Sequence, residues 1–241
     1  MTFWEHLDEL RTRLVRILVA AAVAAVACFC FKDALFHVVL APKPEEMHLI
    51  NVEITQQFLT HMRVSLWAGL LLVSPYLLYQ LMAFVSPGLY RSERRLALRA
   101  VGSGYLLFAA GVLLNYFVIF PFTVRFLGNY QVSAEVVNSI TLSSYISLLG
   151  VMSLLLGVVF ELPVLCWLLA RLGILQASFM KRYRRHAIVV IVILGAVITP
   201  TGDPFTLALV SIPIYLLWEL SILIVRSVER RKQTTIKESC R

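Results

Sequence analysis

The stretch FVSPGLYRSERRL, residues 84–96, sets one acid, Glu93, among Arg91, Arg94 and Arg95. If the chain turns helical after Pro87, the residues three and four positions from Glu93 are Leu89, Tyr90, Leu96 and Ala97, the spacing at which helical neighbours meet. None is a cation. A carboxylate so placed suits an incoming guanidinium, because arginine makes short, directional, bidentate contacts with carboxylates. Phe84 and Tyr90 lie nearby, and an aromatic face also receives a cation. The plain alternative is a solvated acid that balances the arginines and contributes about 0–1 kcal/mol.

A second acid, Glu9, lies in MTFWEHLDELRTRL. Thr2 and Glu5 form a capping box, and Phe3, Leu7, Leu10, Leu14 and Ile17 make one apolar stripe at helical spacing. Glu9 can pair with Arg13 four residues on. This amphipathic helix, about 2–14, is expected to lie along a membrane face before turning into the first span. It would serve there as an interfacial anchor or as a docking surface. A third acid, Glu161, interrupts the apolar run from Leu148 to Ala170. A charged carboxylate at mid-membrane costs several kcal/mol, so the group is expected to be protonated, paired or turned to a wet cavity. Pro163 removes a backbone donor and bends the helix, releasing the carbonyl of Val159. Glu161 is then either a functional intramembrane acid or one half of a neutral packing hydrogen bond. Glu219 resembles it but sits nearer a helix end.

Other chemistry is not written in the chain. There is no GxxxxGK[ST] phosphate loop and no HExxH, and no GxSxG elbow. The histidines His6, His37, His48, His61 and His186 are scattered, and Cys28, Cys30, Cys166 and Cys240 show no metal or disulfide spacing. No cofactor is expected.

The elements that position these acids follow from composition. Hydrophobic residues make up 59% of the 241 and charged residues 15%, against roughly 45–50% and about a quarter in soluble domains. The expected fold is all-α and membrane-embedded, a single polytopic domain over residues 1–241. A span needs roughly 20 apolar residues. Six are read at about 15–36, 64–86 with Pro75, 98–124 interrupted by Pro121, 143–170, 187–200 and 205–225, followed by a basic tail, 226–241. The last two look short: the charge-free run from Ala187 to Gly202 is 16 residues, roughly 24 Å as a helix. Between the spans, Val52–Met62 reads as an amphipathic stretch lying on the surface, and Thr201–Pro204 as a tight turn.

Of the 22 Lys and Arg, 18 fall before the first span or at its start, between spans two and three or at their edges, between four and five, or in the tail. This asymmetry places both termini in the cytoplasm. It also makes the net charge of +8 a signature of orientation and not of nucleic-acid binding.

HLDELRTRL (6–14), AP (41–42), SPYLLYQLMAFVSPGLYRSERR (74–95), YFVIFPF (116–122), FELPV (160–164), ITPTGDPF (198–205) and IPIYLLWE (212–219) together resemble, in order and over nearly the whole chain, the TatC family. TatC is the core membrane subunit of the twin-arginine protein translocase. The resemblance implies a glove-shaped, concave six-helix bundle in the bacterial cytoplasmic (inner) membrane that receives twin-arginine signal peptides of folded cargo. It implies small single-span partners of the TatA/TatB type, surrounding membrane lipids, and a multi-copy complex. Through it Glu93 and Glu9, with Phe84, Arg11 and Arg94 near them, match the signal-peptide site. Glu161, with Pro163, matches the polar position of the intramembrane groove, and Pro42 and Asp203 match outer-face positions. Two features depart from the family pattern. The turn TPTGDP is one residue longer than the usual TPPD form, and Leu207 stands where relatives often carry Gln at a position tied to partner contact.

Three functions therefore compete. The first is a receptor and scaffold for export, not an enzyme, driven by the proton gradient because no nucleotide site exists. The second is a proton-coupled small-solute transporter with Glu161 as its relay. The third is an intramembrane hydrolase, for which no nucleophile and base can be nominated. Binding that depends on paired arginines separates the first from the others.

Overall fold

The computed structural model describes residues 3–45, 47–85, 94–130, 139–199 and 203–239. Glu93, with Tyr90 and Arg91, lies outside the described residues.

Helix α1 (Phe3–Cys30) contains neither Gly nor Pro and is dominated by Ala, Leu, Val and Arg, good or tolerable helix formers throughout. It therefore runs unbroken. The expected turn between an N-terminal surface helix and the first span does not exist. A bend at Phe31 leads into α2 (Lys32–Leu40), which stops just before Pro42, where the N–H for a further turn is missing. Helix α3 (Gln56–Val85) absorbs the second half of the stretch expected to lie on the surface. The Gln56 side chain accepts hydrogen bonds from the backbone N–H groups of Val52 and Glu53 at 2.8 and 3.3 Å and fastens the entry. Pro75 leaves the carbonyl of Leu71 without its usual donor. The hydroxyl of Ser74 donates to it instead at 2.7 Å, and the helix continues.

Helix α4 (Arg94–Leu114) passes through a π-helical turn (Asn115–Ile119) into α5 (Phe120–Asn129). The widened turn, not a break, carries the chain to Pro121. Helix α6 (Leu142–Val159) breaks at Phe160–Glu161, and α7 (Leu162–Arg171) restarts with Pro163 in its first turn, where a missing N–H costs nothing. Gly173, at φ 80, closes α7 in the left-handed conformation that suits glycine. The short α8 (Ala177–Arg182) and α9 (Arg184–Ile198) follow, then α10 (Pro204–Ser239). Outside the helices, β1 (Leu49–Ile50) pairs in parallel with β2 (Ile140–Thr141), fastening two connecting segments that the sequence shows only as loops.

Side-chain registers give the packing. Gly69 of α3 sits against the backbone of Ala24 and Ala25, and Phe58 meets Phe29, so α3 runs antiparallel to α1. Gly104, Gly111 and Asn115 face Glu161, Leu156–Phe160 and Ser153, so α6 and α7 run antiparallel to α4. Gly195 lies against Leu207 and Ser211, so α10 runs antiparallel to α9. The largest buried cluster centres on Phe120, Ile146, Met152, Leu156 and Ile214. A second, around Met180, Ile222 and Val225, holds α7 and α8 to α10.

Among the described residues, 5 helical stretches can cross a membrane by length and composition: Leu7–Cys30, Gln56–Phe84, Ala100–Asn129, Leu142–Arg171 and Pro204–Arg230. Of the two final helices expected to be short, α9 is, at 15 residues. Helix α10 is not, at 36 residues. Apolar character fades at Arg226, but SVERRKQTTIKES holds no Gly or Pro, and helix does not end where hydrophobicity ends.

Candidate functional site

The end of the bundle where α1 begins and α3 finishes carries a polar bridge between the two helices. Arg13 donates through Nε and Nη2 to Glu9 Oε1 at 3.0 and 2.6 Å. Through Nη1 it donates to Gln80 Oε1 at 2.8 Å. Gln80, buried at 5% exposure, in turn donates from Nε2 to the hydroxyl of Tyr76 at 2.7 Å. One planar guanidinium thus joins an acid on α1 to an amide on α3, a fork geometry that lysine lacks.

The second carboxylate oxygen of Glu9, Oε2, is buried and accepts no hydrogen bond from the described residues. Because α1 and α3 are antiparallel and Arg13 meets Gln80, one turn back along α1 is level with one turn on along α3. This sets Glu9 level with half-buried Phe84, which precedes the segment that contains Glu93. The structure so brings Glu9 and Phe84 to one level. It does not bring Arg11 there: Arg11 is exposed and, two residues from Glu9, projects about 200° around the helix. Arg94 opens α4 just beyond residues 86–93. Gln80 and Tyr76 are the members that motif reading overlooks. Their signal is a lone amide in an apolar run with a phenol one turn before it.

Glu161 occupies the break between α6 and α7, only 6% exposed. Neither carboxyl oxygen has a hydrogen-bond partner among the described residues. It packs on α4 at Gly104, where an added Cβ would come within 2.8 Å of Oε2 and 3.3 Å of Oε1. Pro163 is buried beside it at the start of α7. Two to three turns along the same seam, buried Asn115 donates from Nδ2 to Ser153 Oγ at 2.8 Å, inside the π-helical turn. Such turns recur at functional positions.

The remaining sequence candidates sit at the opposite end. Pro42 is half-buried just past α2. Asp203 caps α10, its Oδ2 accepting from the Thr206 backbone N–H at 2.6 Å, with Pro204 first in the helix. Asp before Pro at a helix start is the expected capping chemistry. Leu207 lies partly buried against Gly195 of α9. Phe126 stacks on Phe205 at 4.6 Å and ties α5 to α10 beside it. At this end Arg63 of α3 also donates to Ser143 Oγ at 2.5 Å, bridging to α6.

Comparison with known proteins places this architecture. Residues 5–213 match the family described as Sec-independent protein translocase protein (TatC). The chain is 35% identical over 242 aligned positions to the Sec-independent protein translocase protein TatC of Desulforapulum autotrophicum, covering 98% of this chain and 88% of that one. To the TatC of Deinococcus radiodurans it is 37% identical over 231 positions, covering 92% and 85%. A crystal structure of the twin arginine translocase receptor TatC in DDM superposes with a TM-score of 0.81 at 30% identity, covering 91% of this chain and 98% of that chain.

Proposed function

Because the chain belongs to the TatC family of Sec-independent protein translocase proteins, a multi-pass membrane component of the protein-export machinery and not an enzyme, we propose that it is the receptor of its translocase. In this reading it binds the Arg-Arg signal peptides of folded proteins at the end of the bundle carrying Glu9 and Phe84. Glu93 and Glu9 supply two carboxylates for two guanidinium groups, Phe84 supplies an aromatic face, and Arg94 borders the site, while Arg11 points away from it.

The observation that carries this is the antiparallel register of α1 and α3. It sets Glu9 level with Phe84, next to the segment that holds Glu93, so residues 75 positions apart in sequence share one end of the bundle. The distribution of basic residues puts that end, and both termini, in the cytoplasm. Helix α9 then serves as a sixth, short span in a concave bundle of the bacterial cytoplasmic membrane.

The chain would recruit small single-span subunits of the TatA/TatB type and work in several copies on the transmembrane proton gradient. Glu161 and Pro163 would face the cargo or partner step within the membrane. Pro42, Asp203 and Leu207 would border partner contacts on the outer side. At Leu207 the docking would be apolar, since a side chain already packed on Gly195 offers no hydrogen bond.

A photocrosslinking residue at position 84, in native membranes, tests the reading. A precursor with Arg-Arg in its signal should crosslink, and a Lys-Lys precursor should crosslink far less. Equal crosslinks from both, or none from either, would end the receptor assignment at this site.

A further inference from the structure

We infer that Arg13 is a resident competitor for Glu9: a signal-peptide arginine enters by exchanging one guanidinium for another, and the resident one weakens the binding of any arriving cation. This rests on the reading that Glu9 accepts a signal arginine.

Neither oxygen of Glu9 is open in the structure. Oε1 is taken twice by Arg13, at 3.0 and 2.6 Å, and Oε2 is covered from water without a hydrogen-bond partner. An arriving cation must therefore displace Arg13 to reach the carboxylate. Displacement is feasible because Arg13 has a second hold. Its Nη1 donates to Gln80 Oε1 at 2.8 Å, and Gln80 is itself fixed by its bond to Tyr76 at 2.7 Å. Arg13 can release Glu9 and remain anchored on α3, so the freed guanidinium is not left without an acceptor.

The exchange is selective on chemical grounds. An incoming arginine replaces like with like: planar, weakly hydrated, and able to span both carboxylate oxygens. An incoming lysine brings a compact, strongly hydrated ammonium with no fork. It gives up more hydration and regains fewer bonds than the arginine it must evict. Eviction subtracts the same amount from both peptides, so the preference for arginine comes from its fit to the carboxylate, while the competitor lowers the affinity of both. The same device keeps an acid at a basic bundle end satisfied between substrates, since an unpaired, partly buried carboxylate is costly.

The test is equilibrium binding of Arg-Arg and Lys-Lys signal peptides to the full chain in lipid nanodiscs, comparing wild type with Arg13→Lys and Arg13→Gln. Thermal unfolding confirms that each variant is folded, and Arg13→Lys keeps a cation beside Glu9 should Arg13→Gln prove unstable. Exchange requires the affinity for both peptides to rise in the order Arg, Lys, Gln at position 13. By Gln each peptide should bind up to roughly fivefold tighter, the upper end of what such an ion pair contributes, with the preference for Arg-Arg unchanged. Unchanged or weaker binding of both peptides would overturn the inference and make Arg13 a support for the site. A wild type that binds both peptides equally would sink the receptor reading itself, and the inference with it.

Discussion

Two partly or fully buried acids, Glu9 and Glu161, are held in opposite ways. Glu9 lies at a helix end, 22% exposed, with an arginine on one oxygen and that arginine tied on to the neighbouring helix. Glu161 lies at a helix break inside the bundle, 6% exposed, with no donor on either oxygen, packed on the bare backbone of Gly104. In the exchange proposed above, the first trades one guanidinium for another, because its surroundings already hold one. The second has no cation to trade among the described residues. Its surroundings tolerate a carboxyl group without satisfying it, at a cost in stability.

The seam that supports Glu9 is the easier to break. At Gly69 an added Cβ would lie 2.7 Å from the Ala25 backbone nitrogen and 2.8 Å from its Cα. Backbone cannot swing aside as a side-chain tip can, so Gly69→Ala should push α1 off α3. Overpacking of this kind costs about 1–3 kcal/mol. The Arg13–Gln80 bridge should stretch with it. Thermal unfolding in detergent should show the loss, and Arg-Arg peptide binding should weaken in parallel. A variant that melts like wild type would mean that α1 and α3 can separate freely, and that their register does not fix the site.

Glu161 should respond with the opposite sign. Leucine at 161 removes a buried carboxyl group that has no partner, which relieves roughly 1–2 kcal/mol. Glu161→Leu should therefore melt higher than wild type, with Glu161→Gln close to wild type. Export of a twin-arginine precursor should nonetheless fall in Glu161→Leu, while the crosslink from position 84 persists. A lower melting temperature would reveal a stabilising partner for the carboxyl group. Loss of the crosslink would move Glu161 from the later step to first recognition.

Much of this contrast was legible in the chain. A lone acid among apolar residues and an acid four residues from an arginine are both local patterns, and the long apolar runs announce their helices. What the sequence hid was non-local or depended on the absence of a breaker. The Arg13–Gln80 bridge spans 67 positions and exists only because Gly69 seats α3 on α1. The two-residue β1–β2 pairing is too short to leave a periodic trace. Helix α1 continues through the expected turn, and α10 through its basic tail, because charge alone does not end a helix. Glu93, the acid that first drew attention, was read from its neighbours alone and lies outside the described residues.

A third acid gives the smallest effect and the sharpest control. Glu219 of α10 meets Arg184 of α9 at 2.6 Å, the same distance as Glu9 to Arg13. The surroundings differ. Arg184 and Glu219 are 46% and 30% exposed, against 20% and 22% for Arg13 and Glu9. Water can replace either partner, and Tyr215 gives Glu219 only one further bond, at 3.2 Å. An exposed pair of this kind contributes about 0–1 kcal/mol. Glu219→Gln should lower the melting temperature slightly, less so at high salt, and leave the affinity for both signal peptides unchanged. If Glu219→Gln tightened that binding as Arg13→Gln is expected to, any acid–arginine pair at this end would serve. The second tether, from Arg13 to Gln80, would then not be what distinguishes the site.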